Sequence, residues 1–171
     1  MKSIFPLALL LLLPTFVSAE DLPARKPGLW TFTITSDAPG SKPYEMKQCI
    51  DSSTDAKMMQ ASGAMAQKSG AKCTKKDMHK SGNKYTGGSE CIFNGTKVTV
   101  DVSFSGDFSK EYSGQTDTVF DPPIMGNAKR HTDVTAKWIG ACEADQVPGD
   151  MIMPNGIKVN VNSLPEQAPP Q

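Results

Sequence analysis

The chain has two histidines, and each stands two residues from an aspartate: Asp77 with His79, and His131 with Asp133. In an extended strand, residues two apart face the same side, so each pair sets an imidazole beside a carboxylate. That arrangement orients a general base or a metal ligand. The plainer reading is a solvent-facing strand residue beside an opposite charge. Met151 and Met153 share the same spacing, and thioether sulfur suits Cu(I). Methionine also fills irregular cores and adaptable surfaces without any metal. No GxSxG elbow, HExxH helix, P-loop or dinucleotide fingerprint is present, and the serines have no recognisable base nearby. The sequence therefore assigns no catalytic residue and calls for no cofactor, and the expectation is a protein that is not an enzyme.

Cysteine is the more informative residue. The first residues, MKSIFPLALLLLLPTFVSA, combine one basic residue, a leucine-rich run and small residues at Ser18 and Ala19. This is the layout of a secretory signal peptide, and its apolar stretch is shorter than the roughly 20 residues that a membrane-spanning helix needs. Cleavage is expected after Ala19, giving a periplasmic or secreted protein. No cysteine stands at the cleavage site, so no lipid or membrane anchor is expected. All four cysteines, Cys49, Cys73, Cys91 and Cys142, lie in the mature region, and an even count in an exported chain reads as two disulfides. Zinc would favour close CxxC pairs, and the smallest gap here is Cys73 to Cys91.

Which elements would hold these residues? Cys73 and Cys91 lie equally far on either side of Gly82, within the turn-forming cluster Ser81-Gly82-Asn83. A three-residue hairpin loop there sets Lys80 opposite Lys84 and, counted outward, Cys73 opposite Cys91. Directly paired residues have Cβ atoms about 4.5 to 5.5 Å apart, near what a disulfide needs. Elimination leaves Cys49 with Cys142. A bulge would shift the count and leave the pairing open. The next turn, Asn94-Gly95, is a strong hairpin signal and sets Phe93 opposite Thr96. On that register Tyr85, Gly87, Ser89 and Cys91 face the same side as Phe104, Val102, Val100 and Val98. Two turns thus agree on which face is apolar.

The remaining segments continue the pattern. LWTFTITS alternates apolar residues with threonine, and YEMKQCI follows as a second strand. The stretch 53–68 reads as a short helix with a serine or threonine N-cap, weakened by Gly63. EYSGQTDTVF and KRHTDVTAKWIGAC read as strands separated by the loop DPPIMGNA, with Val134, Ala136, Trp138, Gly140 and Cys142 on one face. One further short strand is expected at 157–161. The predicted fold is mainly β: an antiparallel meander forming a small barrel or strongly curved sheet, with one short α-helix and two disulfides. Residues 1–19 are the signal peptide, 20–164 a single domain, and 165–171 a disordered proline-rich tail.

KPGLW at residues 26–30, followed by a strand, then Gln48-Cys49, two further cysteines, and GAC at 140–142, resembles a family of secreted bacterial proteins, the domain-of-unknown-function family three-six-one-seven. The resemblance covers residues 26–142. It implies an exported protein and supplies no catalytic residues, because the family has no established activity.

Composition narrows the partners. The chain carries 18 basic and 18 acidic residues, interspersed, so nothing electrostatic points to nucleic acid or an anionic membrane. Two function classes remain. In the first, a small barrel or curved sheet cradles a small apolar ligand. In the second, the disulfide core displays loops such as SDAPGSKP and DPPIMGNA to a protein of the cell envelope. Metal binding stands third.

Overall fold

Threonine alternates with large apolar residues through GLWTFTITS, and in the computed structural model, which describes residues 22–59 and 70–164, this segment is strand β1, Gly28–Ser36. After it come β2 (Tyr44–Ile50), β3 (Lys72–Ser81), β4 (Lys84–Phe93), β5 (Thr96–Asp107), β6 (Glu111–Ile124), β7 (Asn127–Gly140), β8 (Asp150–Ile152) and β9 (Lys158–Asn160). These nine strands form one antiparallel sheet in the order β3-β4-β5-β6-β7-β1-β2-β8-β9. The meander β3 to β7 is thus extended on its β7 side by the β1–β2 hairpin and then by the short β8–β9 ribbon. The sheet curls without closing, and β3 and β9 are its edges.

The turns explain the registers. Asn94 and Gly95 both have positive φ, 49° and 82°, as a type I′ turn requires, and Cys91 faces Val98 as expected. The β3–β4 turn is a correction. It contains two residues, Gly82-Asn83, so Ser81 pairs with Lys84, and Lys80 with Tyr85 in place of Lys84. Gly82, at φ 63°, takes the first central position, where a two-residue hairpin accepts glycine. A bulge between Cys73 and Lys75 inserts Thr74, and that one extra residue restores Cys73 to its place opposite Cys91.

The stretch DPPIMGNA is also corrected: β6 runs on to Ile124, and the turn is Met125-Gly126, with φ 49° and 81°. Proline is excluded from central strands because it has no N–H for the ladder. Pro122 and Pro123 escape that rule because they fall inside a register shift between Val119 and Ile124, beyond the last β5–β6 pair at Asp121. Strand β8 was not foreseen, and the expected 157–161 strand is the shorter β9.

Residues 52–59 are helical, and the rest of the expected 53–68 helix lies outside the described residues, as do the expected signal peptide and the expected tail. The cap is Asp51, not a serine or threonine. Its carboxylate accepts from the backbone N–H groups of Thr54 (2.8 Å) and Ser53 (3.0 Å), while the Thr54 hydroxyl accepts from the Asp51 N–H (2.9 Å).

Both disulfides form as expected, Cys49–Cys142 and Cys73–Cys91. The face of the first differs from expectation. Cys49 alternates with Gln48 and Ile50, so it points away from the core, on the side of Leu29. A second bulge, between Leu29 and Trp30, ends the regular alternation of β7 after Trp138 and removes Gly140 and Cys142 from the inward face.

Candidate functional site

The inward, concave face of the sheet divides along the strand direction. At one end Trp30, Phe32, Tyr85, Tyr112 and Ala136 meet Ile50, Met58, Phe108 and Val161 in one buried cluster. A relay of rings crosses it: Tyr85 lies 5.5 Å from Phe108, Phe108 stacks on Tyr112 at 4.3 Å, and Tyr112 lies 5.8 Å from Trp30. Ala136, flanked by Phe32 on β1 and Tyr112 on β6, is small enough for these rings to close over it.

Within this cluster lies a buried charge pair. Arg25 is 6% exposed and Asp55 is 2% exposed. The Arg25 Nε donates to Asp55 Oδ1 at 2.7 Å, its backbone N–H donates to Asp55 Oδ2 at 2.8 Å, and an η-nitrogen donates to Gln48 Oε1 at 2.9 Å. The guanidinium also stands over Phe32 at 5.3 Å. Burial pushes the Tyr112 phenol above its ordinary pKa, and the adjacent Arg25 charge opposes that shift. Sequence reading missed this pair, since an arginine before KPGLW and an aspartate in a helix carry no joint signal.

KPGLW itself is structural. The Trp30 indole donates to the Lys26 carbonyl (2.8 Å), the Trp138 indole donates to the Pro27 carbonyl (3.0 Å), and the Lys26 ammonium lies 3.5 Å from the Trp138 ring centroid. A Cβ on Gly28, whose φ is 129°, would collide with the Gly140 carbonyl. The motif therefore fastens β1 to the end of β7.

The other end of the concave face is different. Val98, Val100 and Val102 project there from β5, opposite Phe120, Thr118 and Thr116 of β6 and Cys91, Ser89 and Gly87 of β4. These three valines and Phe120 are only half-buried, and among the described residues the core cluster does not extend to them. Arg130 joins the same transverse row, directly across from Thr118, with its guanidinium 5.7 Å from the Phe120 ring centroid. A signal for Arg130 was present but unused: it has the strand parity of Thr132, Val134 and Ala136.

The two histidine pairs lie on the opposite, convex face. His131 Nε2 is 3.3 Å from Asp133, and its Nδ1 is 2.7 Å from Asp117, a β6 partner that sequence reading did not find. Hydrogen bonds to Asp117 and then to Asp133 raise the His131 pKa above its ordinary value. His79 Nε2 is 3.4 Å from Asp77, whose carboxylate also accepts from the Gly88 N–H. Asp77, His79, Thr86 and Asp101 line a polar hollow of about 220 Å³ on this face. A second hollow, of about 300 Å³, is lined by residues including Lys84, Ser103, Ser113, Gln115 and Asp133. Among the described residues, no three His, Cys, Asp or Glu side chains converge as a metal site. Met151 packs against the core, whereas Met153 lies past the end of β8 and is 39% exposed.

A family model described as "Protein of unknown function (DUF3617)" matches residues 25–142, more than half of the chain. The chain belongs to the DUF3617 family. The DUF3617 match opens on the buried Arg25 and closes on Cys142, so it takes in the KPGLW fastening and both disulfides and stops short of β8 and β9. No curated protein and no solved structure matches the chain.

Proposed function

We propose that this DUF3617 protein is an exported, non-catalytic binding module for a small apolar ligand, working in the periplasm or outside the cell. The observation that carries the reading is the unequal concave face: the row Val98, Val100, Val102 with Phe120 is apolar in type, faces inward and lies outside the core cluster among the described residues. Apolar side chains facing a concave surface are the usual lining of a small-molecule site. Two disulfides and the leader-like sequence at residues 1–19 support an oxidising compartment. The histidine-aspartate pairs sit on the convex face among polar side chains, away from this lining, which supports a role without catalysis.

An uncharged naphthylamine dye tests the reading. Its fluorescence is expected to rise and saturate with the native protein, and to do so far less with Val100→Asp of unchanged circular dichroism. No saturable rise, or an equal rise with the variant, would overturn it.

A second reading, contact with an envelope protein, is favoured by one feature. Met125 is 96% exposed at the tip of the β6–β7 hairpin. Cross-linking from a photoreactive residue at position 125 in the native envelope tests it, and a single partner band is the expected result.

A further inference from the structure

The concave face sorts its charges. On β4, β5, β6, β7, β1 and β2 the acidic and basic residues alternate outward, with one exception. By register, Glu90, Lys97, Asp101, Asp117, Lys129 and Asp133 all point to the convex side. Arg130 alone among the charged residues of those six strands faces inward, in the row Ser89–Val100–Thr118–Arg130. On the edge strand β3, Lys80 also faces inward, with its ammonium over the Tyr85 ring at 5.5 Å. Arg130 is exposed, so its guanidinium is open to an incoming counter-charge, and it makes no ion pair with the described acidic side chains. Its guanidinium instead rests over Phe120, at the end of the valine row farthest from the buried cluster.

We infer that this end of the face takes a free, single-chain anionic amphiphile such as a fatty carboxylate, with its acid head on Arg130 and its chain running past Val100 and Val102 toward the core. The inference rests on the apolar-ligand reading above and names the class of ligand. Charge complementarity selects it. A carboxylate accepts a paired set of hydrogen bonds from a guanidinium, and Thr118 directly opposite offers a hydroxyl donor beside it. Val98 to Val102 spans about 13 Å at the rise of an extended strand, enough to lie under much of an alkyl chain. A neutral amphiphile gains the apolar contact but leaves the guanidinium unmatched, and a cationic one is repelled.

The test is calorimetric titration of the purified, oxidised protein with dodecanoate, dodecanol and dodecyltrimethylammonium below their micelle-forming concentrations, repeated with Arg130→Gln. Dodecanoate is expected to bind about tenfold or more tighter than dodecanol, the scale of a hydrogen-bonded charge. Dodecyltrimethylammonium is expected to bind weakest. In Arg130→Gln dodecanoate should fall to the level of dodecanol, while dodecanol itself is unchanged, which separates loss of the head contact from loss of the fold. Equal binding of dodecanoate and dodecanol, with no effect of Arg130→Gln, overturns the headgroup assignment and leaves the apolar reading standing. Binding of none of the three overturns both. Binding to phosphatidylglycerol vesicles without binding of monomeric dodecanoate overturns the free-ligand assignment in favour of a membrane surface.

Discussion

Arg25 and Asp55 meet inside the core, Nε to Oδ1 at 2.7 Å, with side chains 5% and 3% exposed. The pair joins the segment ahead of β1 to the helix at residues 52–59, which follows the end of β2 beside it. Removing one partner leaves the other charge buried and uncompensated, which costs about 3–5 kcal/mol. Asp55→Asn is expected to lower unfolding stability by that amount in urea titrations followed by tryptophan fluorescence. A loss below about 1 kcal/mol would mean that solvent reaches the site.

The two disulfides are expected to differ in weight. In the chain-entropy account, a loop near 100 residues gives about 4.7 kcal/mol and one near 15 about 3 kcal/mol. The sequence separations here are 93 for Cys49–Cys142 and 18 for Cys73–Cys91. Replacing Cys49 and Cys142 by serine should therefore destabilise more than replacing Cys73 and Cys91. Exposure orders their reduction. Cys49 is fully buried and Cys73 is exposed, so limiting reductant followed by alkylation should label Cys73 and Cys91 first. Labelling of Cys49 before Cys73 would contradict this.

Two exposed groups give stability a dependence on pH of opposite sign. Hydrogen bonds from Thr54, through its backbone and then its hydroxyl, and from Ser53 lower the Asp51 pKa from 3.8 to about 2. That contribution is present above pH 3.8 and is lost as pH falls through about 2. His131 is raised above 6.5 by Asp117 and then Asp133. Its contribution is complete below pH 6.5 and is lost as pH rises through the folded-state value. In NMR titrations Asp51 should have its midpoint near 2, and Asp117→Asn should bring His131 back toward 6.5. A His131 midpoint that ignores Asp117→Asn would rule out the cross-strand contact as the cause.

The division of the concave face predicts unequal tolerance. Phe108 is 8% exposed, stacked on Tyr112 and met edge-on by Tyr85, so Phe108→Ala should cost about 3–5 kcal/mol. Val100, half-buried and outside the core cluster, should cost about 1 kcal/mol or less on truncation to alanine. Equal costs in urea titrations would show that the face is uniformly packed and would weaken the binding reading.

Period-two alternation and turn residues made most of this sheet readable in advance. Asn94-Gly95 set the β4–β5 register without error, and the threonines of β1 marked its outer face. The failures have local causes. At Gly82 a two-residue turn and the bulge at Thr74 cancel, so the cysteine pairing is right although the assumed turn is wrong. Pro122 and Pro123 argued for a loop because proline breaks ladders, and only the register shift in β6 excuses them. The Arg25–Asp55 pair was illegible, because sequence pattern carries no distance between segments that only the folded chain brings together. The candidate site was half legible: the valine row was read as apolar, but its separation from the core cluster depends on where Phe108, Met58 and Val161 pack.

The strand order also bears on how the chain is made. β1 pairs with β7, and Cys49 with Cys142, so the first hairpin to leave the ribosome finds its neighbour only when nearly the whole domain has followed. Cys73 and Cys91 emerge in between. A thiol oxidised as soon as a second one appeared would join Cys49 to Cys73, a pairing absent from the native protein. Native bridges thus require either that Cys49 stay reduced until Cys142 has followed β7 or that a thiolate reopen the early bond. Where oxidation outruns synthesis, this chain reaches its native bridges only through thiol–disulfide exchange.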